Sequence, residues 1–266
     1  MKEEKIEELI NIAEESGLIS ANAMQTLNIV DIGAEMQGAL GTPALDVQAS
    51  ESIIFSMLVD DSGSIAIAKN EKVIIDGCNL ILETLIESKQ INNILMHTRF
   101  LNGTVLYNYC LVEQAKKMNS SNYQATGGTP LYDQTASLLK AVIAKTTEFN
   151  ELNVQTRSVS IIITDGRDEH SRKITKPEKI KPIINDMLMQ ENHIVAAMGI
   201  DDGNGTDFKD IFRKMGIEDK WILTPKNTQS EIRKCFQMLS QSAHRMSQGP
   251  TSFSQTAMQG LGKFIE

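Results

Sequence analysis

Ile53-Ile54-Phe55-Ser56-Met57-Leu58-Val59 runs without a break into Asp60-Asp61-Ser62-Gly63-Ser64. The first seven residues are apolar almost throughout, as a strand covered on both faces should be, and the next five are turn and helix-start residues. Such a strand belongs to a mostly parallel sheet with helices above and below it. The chain from Glu51 onward has the matching alternation. Ile74, Cys78, Ile81 and Leu85 mark one face of a helix over about 70–88, and Ile94–Phe100 reads as a second strand.

Asn102-Gly103 then predicts a tight hairpin, with positive φ at both residues, into a third strand over Thr104–Tyr109. That strand should lie antiparallel at the sheet edge, with Val105, Tyr107 and Tyr109 on one face. A helix follows over about 131–147, with Leu131, Thr135, Leu138 and Val142 on one side. Strands are expected at Arg157–Thr164, Ile194–Ile200 and Trp221–Thr224, with helices at about 177–190 and 207–215 and after Asn227. Parallel connections of these lengths cross over right-handed. The predicted fold class is α/β: a doubly wound, mostly parallel six-stranded sheet with one antiparallel edge strand and helices on both faces.

Three regions result. Residues 1–50 are an N-terminal extension that opens with an acidic amphipathic helix over 3–15 (Ile6, Leu9, Ile10, Ala13); its pattern leaves docking and tethering both open. Residues 51–247 form the α/β domain. Residues 248–266, rich in Ser, Gln and Gly, carry too little apolar surface to offset the ~1–2 kcal/mol per residue of ordering entropy, so a flexible tail is expected.

The 266 residues are 41% hydrophobic and 23% charged with a net charge of −8, the profile of a water-soluble globular chain. That acidity argues against a general nucleic-acid binder, whose affinity rests on neutralising phosphates. No apolar run approaches the ~20 residues a membrane span needs. The start, with four glutamates among its first eight residues, is no secretory signal. Cys78, Cys110 and Cys235 are far apart and suggest neither a disulfide framework nor a zinc knuckle. A cytoplasmic location is therefore expected.

Three stretches carry chemistry. Asp60, Ser62 and Ser64 can turn one carboxylate and two hydroxyls towards one point, an all-oxygen set suited to a hard cation such as Mg²⁺. Thr126-Gly127-Gly128-Thr129-Pro130 precedes a helix, and Asp165 ends the fourth strand in a turn. Each has a plain alternative: Ser62 and Ser64 can shape and cap a helix start, Thr129 is a good N-cap before Pro130, and Asp-Gly is a common turn. Topology favours the shared role. If the first and fourth strands are neighbours where the sheet reverses direction, all five oxygen donors meet in the crevice at the strands' carboxyl ends, where ligands of such sheets bind.

In this order, DDSGS after a buried strand, GGT before a helix and Asp165 in IIITDG resemble the von Willebrand factor type A domain, over roughly 51–247. The resemblance implies a metal-ion-dependent adhesion site in which Asp60, Ser62, Ser64, Thr129 and Asp165 hold Mg²⁺ or Mn²⁺, Asp165 through water. It implies a protein-binding role without catalytic residues, in which a partner's carboxylate takes the open metal position. It further implies an intracellular adaptor, beside an AAA+ ATPase or in a stress-response, phage-defence or tellurium-resistance-like gene cluster. The alternative from another class is a Mg²⁺-dependent phosphotransfer or hydrolase enzyme with Asp60 or Asp61 as nucleophile. That chemistry wants a phosphate loop or a nearby cation, and neither GxxxxGK[ST] nor GxGxxG occurs. His170, five residues past Asp165, could be a further ligand but reads rather as an exposed loop residue without a role. Arg172, Lys173, Lys176, Lys179 and Lys181 read as a solvated helix start that could steer an acidic partner. Met187 and Met189, two apart, cannot share a helix face.

Overall fold

The computed structural model of the chain describes residues 2–30, 40–47 and 49–261. Parts of the N-terminal extension (31–39) and of the tail (262–266) lie outside the described residues. In chain order the elements are α1 (Lys2–Glu15), α2 (Ala21–Ile29), β1 (Glu51–Val59), α3 (Gly63–Ile67), α4 (Glu71–Ile86), β2 (Ile94–Phe100), β3 (Val105–Leu111) and α5 (Leu131–Asn150). They continue as β4 (Gln155–Thr164), α6 (Lys181–Met189), β5 (His193–Gly199), α7 (Phe208–Lys214), β6 (Ile222–Leu223), α8 (Gln229–Met246) and α9 (Pro250–Gln259).

The sheet has six strands in the order β3-β2-β1-β4-β5-β6, all parallel except β3. Winding outward from β1 through β2 to β3, then returning to β4 on the other side, makes β1 and β4 neighbours at the switch point. β1 is buried from Ser52 to Val59 because β2 and β4 pair with its edges while helices cover its faces. The ladder extends past its end: Asp60 N–H donates to Ile163 O at 2.9 Å, and Leu101 N–H to Val59 O at 3.1 Å. The loop beginning at Asp60 thus leaves a fixed point of the sheet.

The edge hairpin is antiparallel as expected, but its turn differs. Gly103 N–H donates to Phe100 O at 3.0 Å and Phe100 N–H to Thr104 O at 2.8 Å, enclosing the three-residue loop Leu101-Asn102-Gly103. Only Gly103 has positive φ (92°), the pattern of a type I turn closed by a bulge. Asn102 instead donates its N–H to Asp61 Oδ1 at 3.0 Å, which ties the hairpin to the loop after β1. The register also shifts between Met96 and Thr98, giving β3 an extra residue there. As a result Tyr107 and Tyr109 do not share a face: Tyr107 accepts from Thr98 at 2.8 Å, while Tyr109 pairs with Ser56 at 2.6 Å and packs on His97. His97 and Thr98 are consecutive and point to opposite sides.

α4 and α8 cover one face of the sheet, approaching so closely at Gly77 that a Cβ there would meet the Phe236 ring at 2.2 Å. α5 covers the other, and it is buried on nearly every side rather than on one stripe. The reason is the N-terminal extension: α1 and α2 lie over its outer face, burying Ile6, Leu9, Ile10, Ala13, Ala23 and Leu27. Two buried lysines of α5 grip this cover. Lys140 donates to Leu27 O (3.0 Å) and Val30 O (3.4 Å) at the end of α2. Lys145 donates to Leu40 O (2.8 Å), Thr42 O and Glu148 (2.7 Å), and Lys5 of α1 reaches Glu148 at 2.7 Å.

At the other terminus the structure departs from the expected flexible tail. Residues 250–259 are helical, with Phe253 1% exposed and stacked under Arg157. Phe253 and Leu261 supply the apolar anchor that the average composition conceals. Met187 is buried and Met189 is 82% exposed, in keeping with their spacing on α6.

Candidate metal centre

The five residues singled out in the sequence lie at the carboxyl ends of β1 and β4 and in the loop that introduces α5. Asp60, Asp61, Ser62, Thr129 and Asp165 are buried and Ser64 is exposed. Ser62 Oγ and Ser64 Oγ are 2.8 Å apart, and Ser64 Oγ donates to Asp165 Oδ1 at 2.5 Å. A chain of three oxygens thus joins the end of β1 to the end of β4. Thr129 closes the set from the third side, since its Oγ1 is 3.3 Å from where a Cβ on Gly166 would stand.

Neither hydroxyl is consumed by helix capping. Ser62 occupies the N-cap position of α3 but makes no side-chain cap hydrogen bond. Thr129 is not the N-cap of α5; Pro130 holds that position, and Asp168 and Ser171 supply the acceptors. The Tyr132 N–H donates to Asp168 Oδ1 and Ser171 Oγ, both at 3.1 Å, and the Asp133 N–H to Ser171 Oγ at 3.0 Å. Thr129 Oγ1 makes no hydrogen bond among the described residues, so it is free to face a ligand.

Asp60 is the base of the site. Its Oδ1 accepts from Ser62 N–H at 2.8 Å, and its Oδ2 from Thr164 Oγ1 at 2.6 Å and Asp165 N–H at 3.2 Å. Burial pushes its carboxyl above the usual range despite these donors. Burial pushes Asp61 up to about 6, with help from the Asp60 charge. Asp165 is likewise pushed up to about 6 by burial, then by the charges of Asp60 and Asp202. No lysine or arginine forms an ion pair with these three carboxylates among the described residues. Three neighbouring carboxylates withdrawn from water without a counter-charge are an arrangement that a cation would stabilise.

The site opens into a cleft of ≈ 870 Å³ lined by Ser64, Thr129 and Asp165, with Ile67 and Arg167 among its walls. Ile67, one helical turn from Ser64, is 85% exposed, while Arg167 is paired with Glu169 at 3.2 Å. The described residues contain no group of three or more His, Cys, Asp or Glu placed to hold a metal, so any cation here relies on hydroxyls as well as carboxylates. The five basic residues Arg172, Lys173, Lys176, Lys179 and Lys181 are all exposed. The turn through 172–174 is held by Asp133, which accepts all three backbone N–H groups.

Three contributors escaped the sequence reading. Thr164 and Tyr123 hold Asp60 through its carboxylate and its carbonyl (Tyr123 hydroxyl to Asp60 O, 2.5 Å). His170, expected to have no role, accepts the Thr129 N–H on Nδ1 at 2.9 Å. A signal for Thr164 was its place directly before Asp165 at the end of a strand; Tyr123 and His170 come from loops whose path no periodicity marks.

No family model matches the chain, and no curated protein matches it. Among solved structures it is similar to the pilus adhesin SpaC from Lactobacillus rhamnosus GG in its open conformation, with a TM-score of 0.51 and 12% identity over 74% of this chain. A second structure of that adhesin gives 0.52 and 10% identity over 75% of this chain. The chain spans only about a third of the adhesin's length, 30% and 31% in the two cases. A looser likeness, TM-score 0.48 and 15% identity over 74% of this chain and 47% of the other, is to proximal thread matrix protein 1 from the mussel byssus with a zinc-occupied MIDAS motif; it adds nothing to the fold assignment. No helix among the described residues is long and apolar enough to cross a membrane. The strand order, the antiparallel edge strand and the adhesin likeness show the fold of a von Willebrand factor type A domain.

Proposed function

We propose that the chain is a protein-binding module whose contact is centred on a divalent cation held by Asp60, Ser62, Ser64, Thr129 and Asp165. The observation that carries this reading is that neither hydroxyl that helix capping would have consumed is so used: Ser62 Oγ instead meets Ser64 Oγ, which reaches Asp165, and Thr129 lines the cleft beside them. The donor set fits. It is all oxygen, as Mg²⁺ and Mn²⁺ prefer, and adjacent oxygens of a Mg²⁺ octahedron lie about 2.9 Å apart, close to the 2.8 Å between Ser62 and Ser64.

A cation bound there would supply a Lewis-acidic position open to the cleft. Around it this chain offers Ile67 for an apolar contact and polar walls beyond. The ligand class that matches is a carboxylate on a partner protein, with an apolar neighbour able to rest on Ile67. Burial of both carboxylates adjoining β1 weighs against the rival enzyme reading: Asp60 is 0% and Asp61 1% exposed, and Asp61 is tied to Asn102, so neither is presented as a nucleophile. The narrower role, an intracellular adaptor beside an AAA+ ATPase in a stress-response or defence gene cluster, rests on the motif resemblance alone.

The experiment is thermal unfolding of wild type and Asp60→Ala in EDTA and again with Mg²⁺ or Mn²⁺. A ligand that binds only the folded state raises stability by mass action, so stabilisation in the wild type alone is expected. Absence of any shift in the wild type with either metal refutes the metal site. Phosphate release that depends on Asp60 would refute the binding-module reading in favour of the enzyme.

A further inference from the structure

We propose that His170 is a positioning residue that sets the Thr129 hydroxyl for the cation, so that the loop after Asp165 controls how the loop introducing α5 presents this ligand. The inference rests on the metal reading above. Four of the five donors, Asp60, Ser62, Ser64 and Asp165, follow two paired strands and inherit their geometry from the sheet. Thr129 does not. Its loop meets the sheet framework upstream of Thr129, through the Tyr123 hydroxyl on Asp60 O and the bridge of Ser62 to Gly127, with Gly63 N–H donating to Gly127 O at 3.1 Å and Gly127 N–H to Asp61 O at 2.9 Å.

Beyond Gly127 the loop is held by the segment that follows Asp165. The Thr129 carbonyl accepts from the Glu169 N–H at 3.1 Å and the His170 N–H at 3.3 Å, and the Thr129 N–H donates to His170 Nδ1 at 2.9 Å. His170 therefore holds the Thr129 backbone from both sides, with one ring nitrogen and its own N–H. The ring lies against Gly128: a Cβ at that position would stand 2.7 Å from His170 Cγ and 2.8 Å from Nδ1. The second glycine of the GGT stretch thus has a physical reason in this chain, which is room for the imidazole. The far end of the segment is anchored independently, Asp168 and Ser171 on the first turn of α5 and 172–174 on Asp133, so His170 is presented from a loop clamped on both sides.

Since the Thr129 N–H donates, Nδ1 must carry a lone pair, and the bound tautomer has its hydrogen on Nε2. Removal of partners that orient metal ligands characteristically weakens metal affinity 10–100-fold. An asparagine can place a carbonyl oxygen where Nδ1 stands; an alanine cannot.

The test is Mn²⁺ titration of full-length wild type, His170→Ala, His170→Asn and Gly128→Ala, read by calorimetry, with imidazole ¹⁵N spectra of the metal-free wild type. Expected are a 10–100-fold loss of Mn²⁺ affinity in His170→Ala and Gly128→Ala, recovery to within about threefold in His170→Asn, and an unprotonated Nδ1 in the metal-free protein. The metal-free unfolding midpoint of His170→Ala should stay near that of the wild type, which separates positioning from general support. Wild-type affinity in His170→Ala, no recovery in His170→Asn, or a protonated Nδ1 would each overturn the inference while leaving the metal site standing. A wild type that binds no Mn²⁺ would overturn the metal reading itself, and this inference with it.

Discussion

Replacing Asp165 by asparagine should stabilise the metal-free protein and abolish its response to metal. In the native fold the carboxyl of Asp165 is raised from 3.8 to about 6, first by burial and then by the charges of Asp60 and Asp202. A raised carboxyl is a contribution present below pH 3.8 and lost as pH rises through 6, so at pH 7.5 the whole cost of ionising the group falls on the folded state. A shift of about two units corresponds to at most about 3 kcal/mol, and solvent in the open cleft reduces it to roughly 1–2 kcal/mol. Asparagine keeps an oxygen to accept the Ser64 hydroxyl, which donates at 2.5 Å to Asp165 Oδ1. In EDTA the variant should therefore unfold about 2–8 °C above the wild type, using about 2–4 °C per kcal/mol for a chain of this size. With Mg²⁺ at about a hundredfold excess over its dissociation constant the wild type gains about 2.7 kcal/mol and the variant little, so the order reverses. The assay is a thermal unfolding series in EDTA and in Mg²⁺ at pH 7.5. The same order of stability in both buffers would refute the reasoning, because it would mean that the carboxylates are not waiting for a counter-charge.

Other perturbations test the frame around the site. Burial lowers His193 to about 4, so its contribution is intact above the unfolded value of 6.5 and is lost as pH falls from there towards 4. His193→Asn keeps an acceptor for Ser158, now 2.6 Å from Nδ1, and should make the stability curve between pH 6 and 4.5 shallower by about 1.4 kcal/mol per pH unit; denaturant midpoints at several pH values would show an unchanged slope if the argument fails. Lys145→Met strands the Leu40 and Thr42 carbonyls beneath the N-terminal cover and leaves Glu148 to Lys5 alone, and should cost about 2–4 kcal/mol by urea denaturation, whereas a loss under about 1 kcal/mol would mean that the cover is only loosely seated. Ile67→Asp should leave Mn²⁺ affinity within twofold while weakening, by more than tenfold, acidic peptides selected from a random library for Mn²⁺-dependent binding; equal binding would remove Ile67 from the contact surface.

Much of the fold was legible because its signals are local. A strand buried on both faces has no polar side, and Ile53–Val59 says so in seven residues. The hairpin was legible as a hairpin but not in its detail, since Asn102 turns its N–H to Asp61, a partner forty-one positions away that no turn rule contains. The bulge in β3 was invisible for a related reason: alternation predicts which face a tyrosine takes only while the register is unbroken. The burial of α5 on all sides was hidden by Lys140, Lys145 and Glu148, charged residues that mark a solvent face unless another segment brings acceptors to them. At the site, the five candidate donors could be named from their motifs and their place at the strand ends. The groups that hold them could not, because His170, Tyr123 and Thr164 act through backbone atoms and single side-chain contacts without any period.

The division between donors and holders bears on how the site would respond to a partner. Asp60 and Asp165 are joined by the ladder between β1 and β4, and a change in their separation would have to break sheet hydrogen bonds on both sides of the switch point. Thr129 lies in the loop that leads directly into α5, which is packed against the sheet within and against α1 and α2 without. A helix held by side-chain packing can shift by small steps, whereas a paired strand moves only with its neighbours. Any adjustment of the site on binding is therefore expected in Thr129 and its loop rather than in the carboxylates. The N-terminal extension limits that movement, since Lys140 and Lys145 fasten the outer face of the same helix to the cover. Loosening the cover should consequently be felt at Thr129: Lys140→Met, about two and a half turns along α5 from the site, should weaken Mn²⁺ binding through that loop while leaving the Asp60 and Asp165 framework intact. Backbone amide shifts report both ends at once, and changes confined to residues near Asp60 with none at Thr129 would show that the helix does not carry the coupling.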